Sequence, residues 1–600
     1  MTQRPFNDDI DMAHADTMPG IHAPTIARYM GAPVELATAS NGAVVNRAAL
    51  EGLYASEPHV PEVRKITDGV WSIIGHSLVN VHVIEGERGL IVYDTGFSVK
   101  EAETILHDIR KVSAKPVTAI IYSHWHYIWG AGVIAEGNKD VEIVAHPNLP
   151  KNLASPDLPI PELDIVQNVR AMQQFNNFMP AEGPDAAIAP LMDFKPERAM
   201  LPPTRLVQHE EEAVIDGVRM RFLTKYGSDA DDCITVWLPE QKVALTNMLW
   251  HAIPNVYPLR GAAFRDPRSW IAGLREIRDL DPEYVLSTHT FPIMGKEASH
   301  RTVTGYMDAL AFIYDQTVRG ALKGLSLQDL KHTLVLPGAL KEIPQNAEVY
   351  GELSAFPQAI FQHALGWFDG DAANINTLPT VVEAQKMAEL AGGREQLMAA
   401  AGKALDNNEF AWAAQLANYL YRLDPRDPAV RRTKATALRK MAQVATGSIA
   451  RAFLISQARA LEGSTKIPRV LFLPIARLML ADPAVLVNHF RVRIDPVKAE
   501  GVDCVLAVRF TDVDRTYGLH VRNGVAEFLA NPASHYRQAE DTIVLPRLAW
   551  AKFYNGEYDV DALLADPTTH IEGSRERVHT FLGRFDHLDP KTNFSIPPMD

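Results

Sequence analysis

The residues best suited to chemistry in this sequence are two histidines with one residue between them, His124 and His126, at the end of the apolar run VTAIIYSHWH (117–126). In an extended segment, residues i and i+2 point to the same side, so both imidazoles can reach one cation without distortion. The alternative explanation is structural, with both rings hydrogen-bonded to backbone groups. The pattern therefore indicates a candidate metal site where a strand ends.

The segments that precede this pair read as strands and one helix. The runs 70–75, 80–86 and 89–96 are short, rich in β-branched residues and bounded by glycine. Ser98 offers an N-cap for a helical pattern, and Pro116 follows that pattern. The histidine-bearing run that comes next is almost continuously apolar, which is typical of a strand covered on both faces.

A second β-rich half repeats this order more loosely. Its predicted strands are VRMRFLTKYG (218–227), CITVWLP (233–239), KVALTNM (242–248) and YVLSTHT (284–290). Two such halves, each with histidines near a strand end, predict a layered α/β sandwich with its site along one edge. The periodicity is helical from about 299 to 461 and mixed from about 468, which predicts a helical domain and then a separate α+β domain.

The composition excludes several classes of protein. At 600 residues the chain is too long for a single hydrophobic core. Its 59 lysines and arginines against 73 aspartates and glutamates give a net charge of −14, which argues against nucleic acid or an anionic membrane as a partner. Two cysteines allow a reducing compartment. Without a signal-peptide core or an apolar stretch of ~18 residues, we expect a cytoplasmic protein with no stable membrane association.

The order of motifs resembles the metallo-β-lactamase superfamily. The string DTG (94–96) follows a strand, and a helix and a strand ending in His-x-His come after it. The family continues this motif as His-x-His-x-Asp-His. Here Ile128 stands at the Asp position and Trp129 at the final His position.

Two longer strings resemble one branch of that superfamily, the alkylsulfatases. NVYPLRG (255–261) is similar to the family's NLYTLRG, and LGWFDG (365–370) is similar to its LGW[FY]DG. The resemblance implies an α/β fold and a homodimer formed through the helical domain. It also implies four parts: an N-terminal extension (1–60), a metallo-β-lactamase-like αββα sandwich (61–298), an all-α dimerisation domain (299–465) and a C-terminal α+β sterol-carrier-like domain (466–600).

The resemblance also implies a ligand set for one metal ion. In the family, two histidines and a Glu after a Gly-Thr turn hold this ion. The matching turn here is GSD (227–229), so Asp229 takes the place of the Glu beside His124 and His126. Asp231 and Asp232 are alternatives if the turn is read in another register, and a solvated turn is the ordinary explanation for all three.

The ligands of the family's second metal are mostly replaced. The bridging Glu is matched by Asn247, and of the remaining protein ligands only His289 is retained. An apolar side chain and an indole cannot coordinate a divalent cation, and an amide is a poorer bridge than a carboxylate. We therefore expect one metal ion rather than two, with Ile128 and Trp129 filling the vacated space.

One zinc ion is the expected cofactor, with iron or manganese as alternatives. Zinc held by three protein ligands keeps a position for water, whose pKa falls from about 15.7 toward ~7. Two histidines and one carboxylate are also the set that binds Fe(II) in oxygenases.

The expected substrate is a small amphiphilic molecule with a negative charge. Arg260 matches the family's anion-binding arginine, and the sulfate-contacting string Ser-His-Asn is matched by Ser-Ala-Phe ending at Phe356. Arg260, His251, Trp129 and Phe356 are therefore our candidate substrate-binding residues, although a sulfate ester is not required.

The candidate catalytic residues are Tyr127 and Asn247. Tyr127 points away from the metal if the strand continues past His126, but its phenol can serve as a ligand or proton donor if the backbone turns there. Three functions compete at this point: a metal-dependent hydrolase resembling the alkylsulfatases, which we favour, a non-haem iron oxygenase or lyase, and a non-catalytic ligand-binding homologue.

Overall fold

The computed structural model describes residues 23–76, 78–154, 160–189, 191–192, 196–256 and 259–598. These residues divide into two compact units. The larger unit contains the described residues up to 154 and Met172–Thr465, and the smaller unit contains Ile160–Ala171 and Lys466–Pro597.

The described part of the larger unit begins with two helices and a small antiparallel sheet. These elements are α1 (Pro24–Ala27), β1 (Leu36–Thr38), β2 (Val44–Asn46) and α2 (Arg47–Ser56). They precede the two large sheets that form the α/β sandwich.

The first large sheet has its strands in sequence order. They are β3 (Glu62–Thr67), β4 (Val70–Ile74), β5 (Val81–Glu85), β6 (Leu90–Tyr93), β7 (Val117–Ile121), β8 (Glu142–Ala145) and β9 (Arg205–Leu206). Strands β3 to β6 are antiparallel neighbours, and β6 to β9 are parallel neighbours. Four of the five residues of β7 are buried, which fits the prediction that the apolar run before the histidines is a strand covered on both faces.

The second large sheet also follows sequence order. Its strands are β10 (Glu211–Ile215), β11 (Val218–Leu223), β12 (Thr235–Leu238), β13 (Val243–Trp250), β14 (Tyr284–His289) and β15 (Ile293–Met294). Neighbours are antiparallel except β13 and β14, which are parallel. All eight residues of β13 are buried.

Helices connect the parallel strands of both sheets. They are α3 (Val99–Val112), α4 (Ala131–Ile134), α5 (Leu149–Ala154) and α7 (Pro267–Asp279). The helix that follows α5 in the chain, α6 (Asp164–Gln174), belongs mostly to the smaller unit. Ile121 and Phe222 share one apolar cluster between the sheets, Ile105 of α3 packs outside the first sheet, and Trp270 of α7 packs outside the second. The predicted αββα sandwich is confirmed.

The chain is helical from residue 296 to 461, as predicted. The helices are α8 (Lys296–Leu322), α9 (Leu327–Leu330), α10 (Gly338–Lys341), α11 (Phe356–Leu365), α12 (Thr380–Leu390), α13 (Arg394–Asp406), α14 (Phe410–Leu423), α15 (Pro428–Val444) and α16 (Ser448–Leu461). None of the helices in the described part of the chain combines the length and apolar character that a bilayer-spanning helix needs.

The smaller unit is an α+β structure around one five-stranded sheet. Its elements are α17 (Ile475–Leu478), α18 (Pro483–Asn488), β16 (Asp503–Phe510), β17 (Arg515–Arg522), β18 (Val525–Leu529), β19 (Asp541–Leu545), α19 (Arg547–Tyr554), α20 (Val560–Ala565), β20 (His570–Glu572) and α21 (Arg575–Leu582). The strand order is β18-β17-β16-β19-β20. Leu506, Val508 and Phe510 of β16 lie in its apolar core.

Candidate metal centre

Three potential ligands meet beyond the end of β7. His124 Nε2 lies 2.8 Å from His126 Nδ1 and 3.8 Å from Asp229 Oδ1, and His126 Nδ1 lies 3.2 Å from Asp229 Oδ2. The ligand atoms of all three residues lie within 4.8 Å of one another. The arrangement offers two imidazole nitrogens and one carboxylate to a single cation.

The backbone brings the two rings together by a turn rather than by a continuing strand. His124 is extended (φ −173°, ψ 177°), but Trp125–Tyr127 form a 3₁₀ turn. The expectation of two histidines on one side of an extended segment is therefore wrong in its geometry. The rings meet edge to face, with centroids 4.7 Å apart.

The DTG string holds this turn from the neighbouring strand. Asp94, at φ 66°, accepts a hydrogen bond from the Ser123 backbone N–H at 2.9 Å. The Thr95 hydroxyl donates to the Tyr127 carbonyl at 3.0 Å and accepts from the Gly130 N–H at 3.3 Å. The loop after β6 thus fixes the segment before and after His126.

Of the three candidate aspartates, Asp229 is the one beside the histidines. Asp231 is exposed and pairs with Lys151 at 3.2 Å. Asp232 is fully buried and accepts from the Trp125 backbone N–H at 3.0 Å, so it supports the turn.

The side-chain amide of Asn247 is hydrogen-bonded to Asp229. Its amide nitrogen donates to Asp229 Oδ1 at 2.8 Å, and its amide oxygen accepts from the Thr288 hydroxyl at 2.6 Å. Asn247 is 1 % exposed, so both bonds are shielded from water. The amide therefore positions the carboxylate, and the geometry gives it no direct role as a catalytic group.

Tyr127 lies against both His124 and His289, with ring centroids 4.9 and 5.3 Å away. His289 Nδ1 donates to the Leu78 carbonyl at 3.0 Å, so its Nε2 accepts from the Tyr127 hydroxyl at 3.2 Å. His289, the fourth predicted metal ligand, is therefore hydrogen-bonded to Tyr127 and does not belong to the group formed by the other three ligands.

The expectation that Ile128 and Trp129 fill the space of a second metal needs correction. Ile128 is fully buried in the apolar cluster that includes Ile105 of α3. Trp129 packs against the same cluster, and the guanidinium of Arg198 lies 4.3 Å from its ring centroid. Because Tyr127 turns inward, its ring is the one that contacts both His124 and His289.

The protonation states of the site suit a cation. Burial lowers the pKa of His124 well below its usual value and that of His289 to about 4, so both rings are neutral at pH 7. Burial alone would raise the pKa of Asp229, but its hydrogen bond with His126 helps to hold it well below its usual range. Neutral imidazoles and an ionised carboxylate are the forms that bind metal ions.

A cleft of about 640 Å³ reaches Asp229. Its lining includes Trp125, Phe264 and Arg265, and Arg265 is only 6 % exposed. Arg265 Nη1 donates to the Asn255 side-chain oxygen at 2.7 Å. Sequence reasoning chose Arg260 and missed Arg265, although both belong to the same stretch.

The other predicted substrate-binding residues lie outside this lining. Arg260 is half-buried and donates to the Gly261 carbonyl at 3.3 Å. His251 is buried, with Nε2 3.8 Å from Glu57 Oε2. Phe356 is 1 % exposed in the core that also contains Trp270, so its predicted place in a substrate pocket is wrong: α11 turns this side chain into the core.

Three family models match successive parts of the chain from residue 74 onward. A model of the metallo-beta-lactamase superfamily matches residues 74–289. A model of the alkyl sulfatase dimerisation domain matches 326–464, and a model of the alkyl sulfatase C-terminal domain matches 477–596.

Individual relatives match over most of their length. A linear primary-alkylsulfatase from Pseudomonas sp. (strain ATCC 19151) is 30 % identical over 535 residues, which cover 84 % of this chain and 98 % of that protein. The alkyl/aryl-sulfatase BDS1 of Saccharomyces cerevisiae is 27 % identical over 88 % of this chain and 82 % of its own. The structure of the inverting sec-alkylsulfatase Pisa1 from Pseudomonas sp. superposes with a TM-score of 0.71 at 21 % identity, covering 96 % of both chains.

Proposed function

We propose that this chain, which belongs to the alkylsulfatase family of the metallo-β-lactamase superfamily and is a metal-dependent hydrolase, works with one metal ion where the family holds two. We further propose that its substrate is an amphiphilic, anionic ester. The observation that carries the proposal is the three-ligand group His124, His126 and Asp229, with Tyr127 packed between this group and His289.

The donor set fits a divalent transition metal. Two imidazole nitrogens and one carboxylate oxygen suit zinc, with iron or manganese as alternatives. When bound, such an ion supplies Lewis acidity and lowers the pKa of water that it binds. We propose zinc as the resident ion.

The surroundings of His289 and Asn247 support a single ion. The Nε2 atom of His289 accepts the Tyr127 hydroxyl, and the Asn247 amide donates to Asp229. A second ion would need to break both bonds, and it would gain an amide where the family has a carboxylate.

The cleft supports an anionic, amphiphilic substrate. The buried cation of Arg265 contributes positive charge in the cleft that reaches Asp229, and a guanidinium binds a planar or tetrahedral oxyanion in paired hydrogen bonds. Trp125 and Phe264 add aromatic surface for an apolar chain. Relatives named as alkylsulfatases make a sulfate ester the first class to test.

Tyr127 is the hydrogen-bond donor that we propose for the leaving-group oxygen. Burial raises the pKa of its phenol well above the usual value, so the hydroxyl keeps its proton at neutral pH. Its donation to His289 holds the hydroxyl beside the ligand group. Arg265 meanwhile binds and orients the anionic end of the substrate.

A homodimer is the assembly that we propose. The segment from α11 to α12 exposes an unusual number of large apolar side chains: Leu365, Trp367, Phe368, Ile375, Leu378, Val381, Val382 and Leu390. Exposed apolar side chains concentrated in one segment suit a protein interface. The match to an alkyl sulfatase dimerisation model covers the same segment.

The cytoplasm is the location that we propose. Both cysteines are free, which suits a reducing compartment.

Metal content and hydrolysis of a medium-chain alkyl sulfate test the proposed function together. In the purified full chain, we expect His124→Ala and Asp229→Ala to lose the ion at the three-ligand site, measured by elemental analysis, together with turnover. His300→Ala, an exposed residue of α8, should keep both. Turnover that survives in His124→Ala would overturn the proposal.

The two-histidine, one-carboxylate group also supports a second candidate, an iron-dependent oxygenase. The same purified protein separates the two functions. Turnover that requires Fe(II) and consumes O₂ would favour the oxygenase, whereas hydrolysis by the zinc form under anaerobic conditions would exclude it.

A further inference from the structure

The smaller unit contains a second group of potential metal ligands. His520 of β17 and Glu527 of β18 are directly paired across neighbouring strands, and His535 follows the 3₁₀ turn Pro532–Ser534. The ligand atoms of the three residues lie within 4.8 Å of one another. His520 Nδ1 and His535 Nε2 are 3.0 Å apart.

The surroundings of His520 fix which nitrogen faces the group. His520 is fully buried, and its Nε2 lies 2.7 Å from Asp503 Oδ1. A carboxylate only accepts, so Nε2 carries the proton and Nδ1 presents its lone pair to His535. A carboxylate behind a histidine is the usual support for a histidine that binds a metal, because it fixes the tautomer and raises the basicity of the ligand.

A positive charge already lies among these ligands. Arg522 Nη1 is 3.1 Å from His520 Nδ1 and 2.5 Å from Glu527 Oε2. Arg522 is half-buried on the end of β17. Its flexible side chain can leave this position, and a divalent cation can then neutralise Glu527 in its place.

We propose that His520, Glu527 and His535 form a second metal site, which binds Zn²⁺ or a similar divalent transition metal in competition with Arg522. Two imidazoles and a carboxylate are a common zinc donor set. A bound ion would tie the segment that carries His535 to the β17–β18 face of the sheet. Such an ion would have a structural role, because its ligands join two paired strands to the segment that follows Pro532–Ser534.

Zinc stoichiometry in the full chain tests this site separately from the first one. After equilibrium dialysis against buffered Zn²⁺, we expect about two ions per chain in the wild type. His535→Ala and His124→Ala should each bind about one ion, and the double variant none. His579→Ala, half-exposed on α21 of the same unit, should bind two.

The outcomes distinguish the two proposals. If wild type and His535→Ala bind the same number of ions, the second site does not exist. If His124→Ala binds as much as wild type while His535→Ala loses one ion, the second site stands and the proposed catalytic centre fails. Circular dichroism of each variant shows that the lost ion does not reflect unfolding.

The competition with Arg522 supplies a second readout, which tests the proposed ligand geometry. Replacing Arg522 by Gln removes an ion pair of about 1 kcal/mol, so we expect zinc to bind this site roughly fivefold more tightly in the His124→Ala background. An unchanged or weaker affinity would contradict the proposed geometry. Lys552→Gln, a change of cation elsewhere in the unit, serves as the matched control.

Discussion

Asn247 stands where the family has a bridging Glu, and this difference changes how the centre can bind metal ions. Its amide links Asp229 to Thr288, so the carboxylate is oriented by a neutral donor. A neighbouring donor also stabilises the ionised carboxylate without adding a ligand. This single position therefore couples the orientation of Asp229 to β14, which carries Thr288 and His289.

Replacing Asn247 by Leu keeps the volume close but removes the bond to Asp229. Loss of a group that orients a ligand typically costs roughly 10- to 100-fold in metal affinity, and we expect a loss in that range. Zinc affinity measured with a chromophoric chelator checks it. Thr288→Val, which removes only the more distant bond, should have a smaller effect, and equal losses in the two variants would contradict the assignment.

His82 makes the stability of the larger unit depend on pH. Burial lowers its pKa to about 3 from 6.5, and its ring contacts the Ser72 hydroxyl and the Ser287 carbonyl. The unfolded chain therefore binds a proton as the pH falls through 6.5, while the folded chain does not. The neutral ring contributes its stability above that pH, and the contribution is lost as the pH falls toward 3.

We expect this histidine to account for about 2 kcal/mol of the stability lost between pH 7 and pH 5. His82→Gln should be less stable overall but should lack this loss, as measured by urea unfolding at the two pH values. The exposed His300→Gln should retain the wild-type difference. An unchanged pH dependence in His82→Gln would show that His82 is protonated in the folded state.

The turn that presents His126 depends on close contact between two loops. A Cβ atom at Gly130 would lie 2.2 Å from the Thr95 carbonyl oxygen and 2.4 Å from the Ala102 Cβ. Both contacts belong to the loop and helix that follow β6, so they cannot move without disturbing the DTG string. The glycine is required by space and not by backbone conformation, since its φ is −102°.

Gly130→Ala should therefore destabilise the chain by roughly 1–3 kcal/mol and weaken zinc binding, because overpacking shifts the turn. Thermal unfolding and zinc affinity measure the two effects. Gly402 lies within α13, where an added methyl group would meet no atom of the described residues within 4 Å, so Gly402→Ala should be neutral or up to about 1 kcal/mol more stable. If Gly130→Ala bound zinc as tightly as the wild type, the prediction would be wrong, because the turn would tolerate the added methyl group.

The sequence predicted the strands around the centre better than the centre itself. The apolar run before the histidines forms β7, but the strand ends at Ile121 and the chain turns. Bonds from Asp94, Thr95 and Asp232 impose that turn, and these residues are distant in sequence. Local patterns cannot report such bonds.

The sequence-based predictions missed further residues for the same reason, because contacts between residues distant in sequence decide their positions. Arg265 lines the cleft because the fold brings the chain after β13 close to Asp229. The second ligand group depends on the pairing of His520 with Glu527, which spacing along the chain does not reveal. For Phe356, the resemblance to a family motif indicates a position along the chain, but the packing of α11 decides the direction of the side chain.

In the homodimer that we propose, the exposed apolar segment between α11 and α12 is where we expect the two copies to meet. Trp367 is 68 % exposed and Leu378 is 54 % exposed. Replacing both by Glu should weaken the dimer roughly 30-fold or more, because buried aromatic anchors dominate interface energies. Light scattering during size-exclusion chromatography measures the mass. Val214→Glu, on the exposed face of β10, is the control, and a dimer that persists in the double variant would contradict this interface.

The smaller unit is assembled from two separated stretches, and this has a consequence for biosynthesis. Ile165 accepts a backbone hydrogen bond from Leu471 at 2.7 Å, and Asn168 donates to the Leu471 carbonyl at 3.4 Å. The stretch Ile160–Ala171 leaves the ribosome long before Lys466–Pro597 is translated. It therefore lacks its packing partners while the intervening chain is synthesised. Nascent chains arrested before Leu471 should therefore recruit chaperones at Ile160–Ala171, and this segment should become protected only when translation is complete.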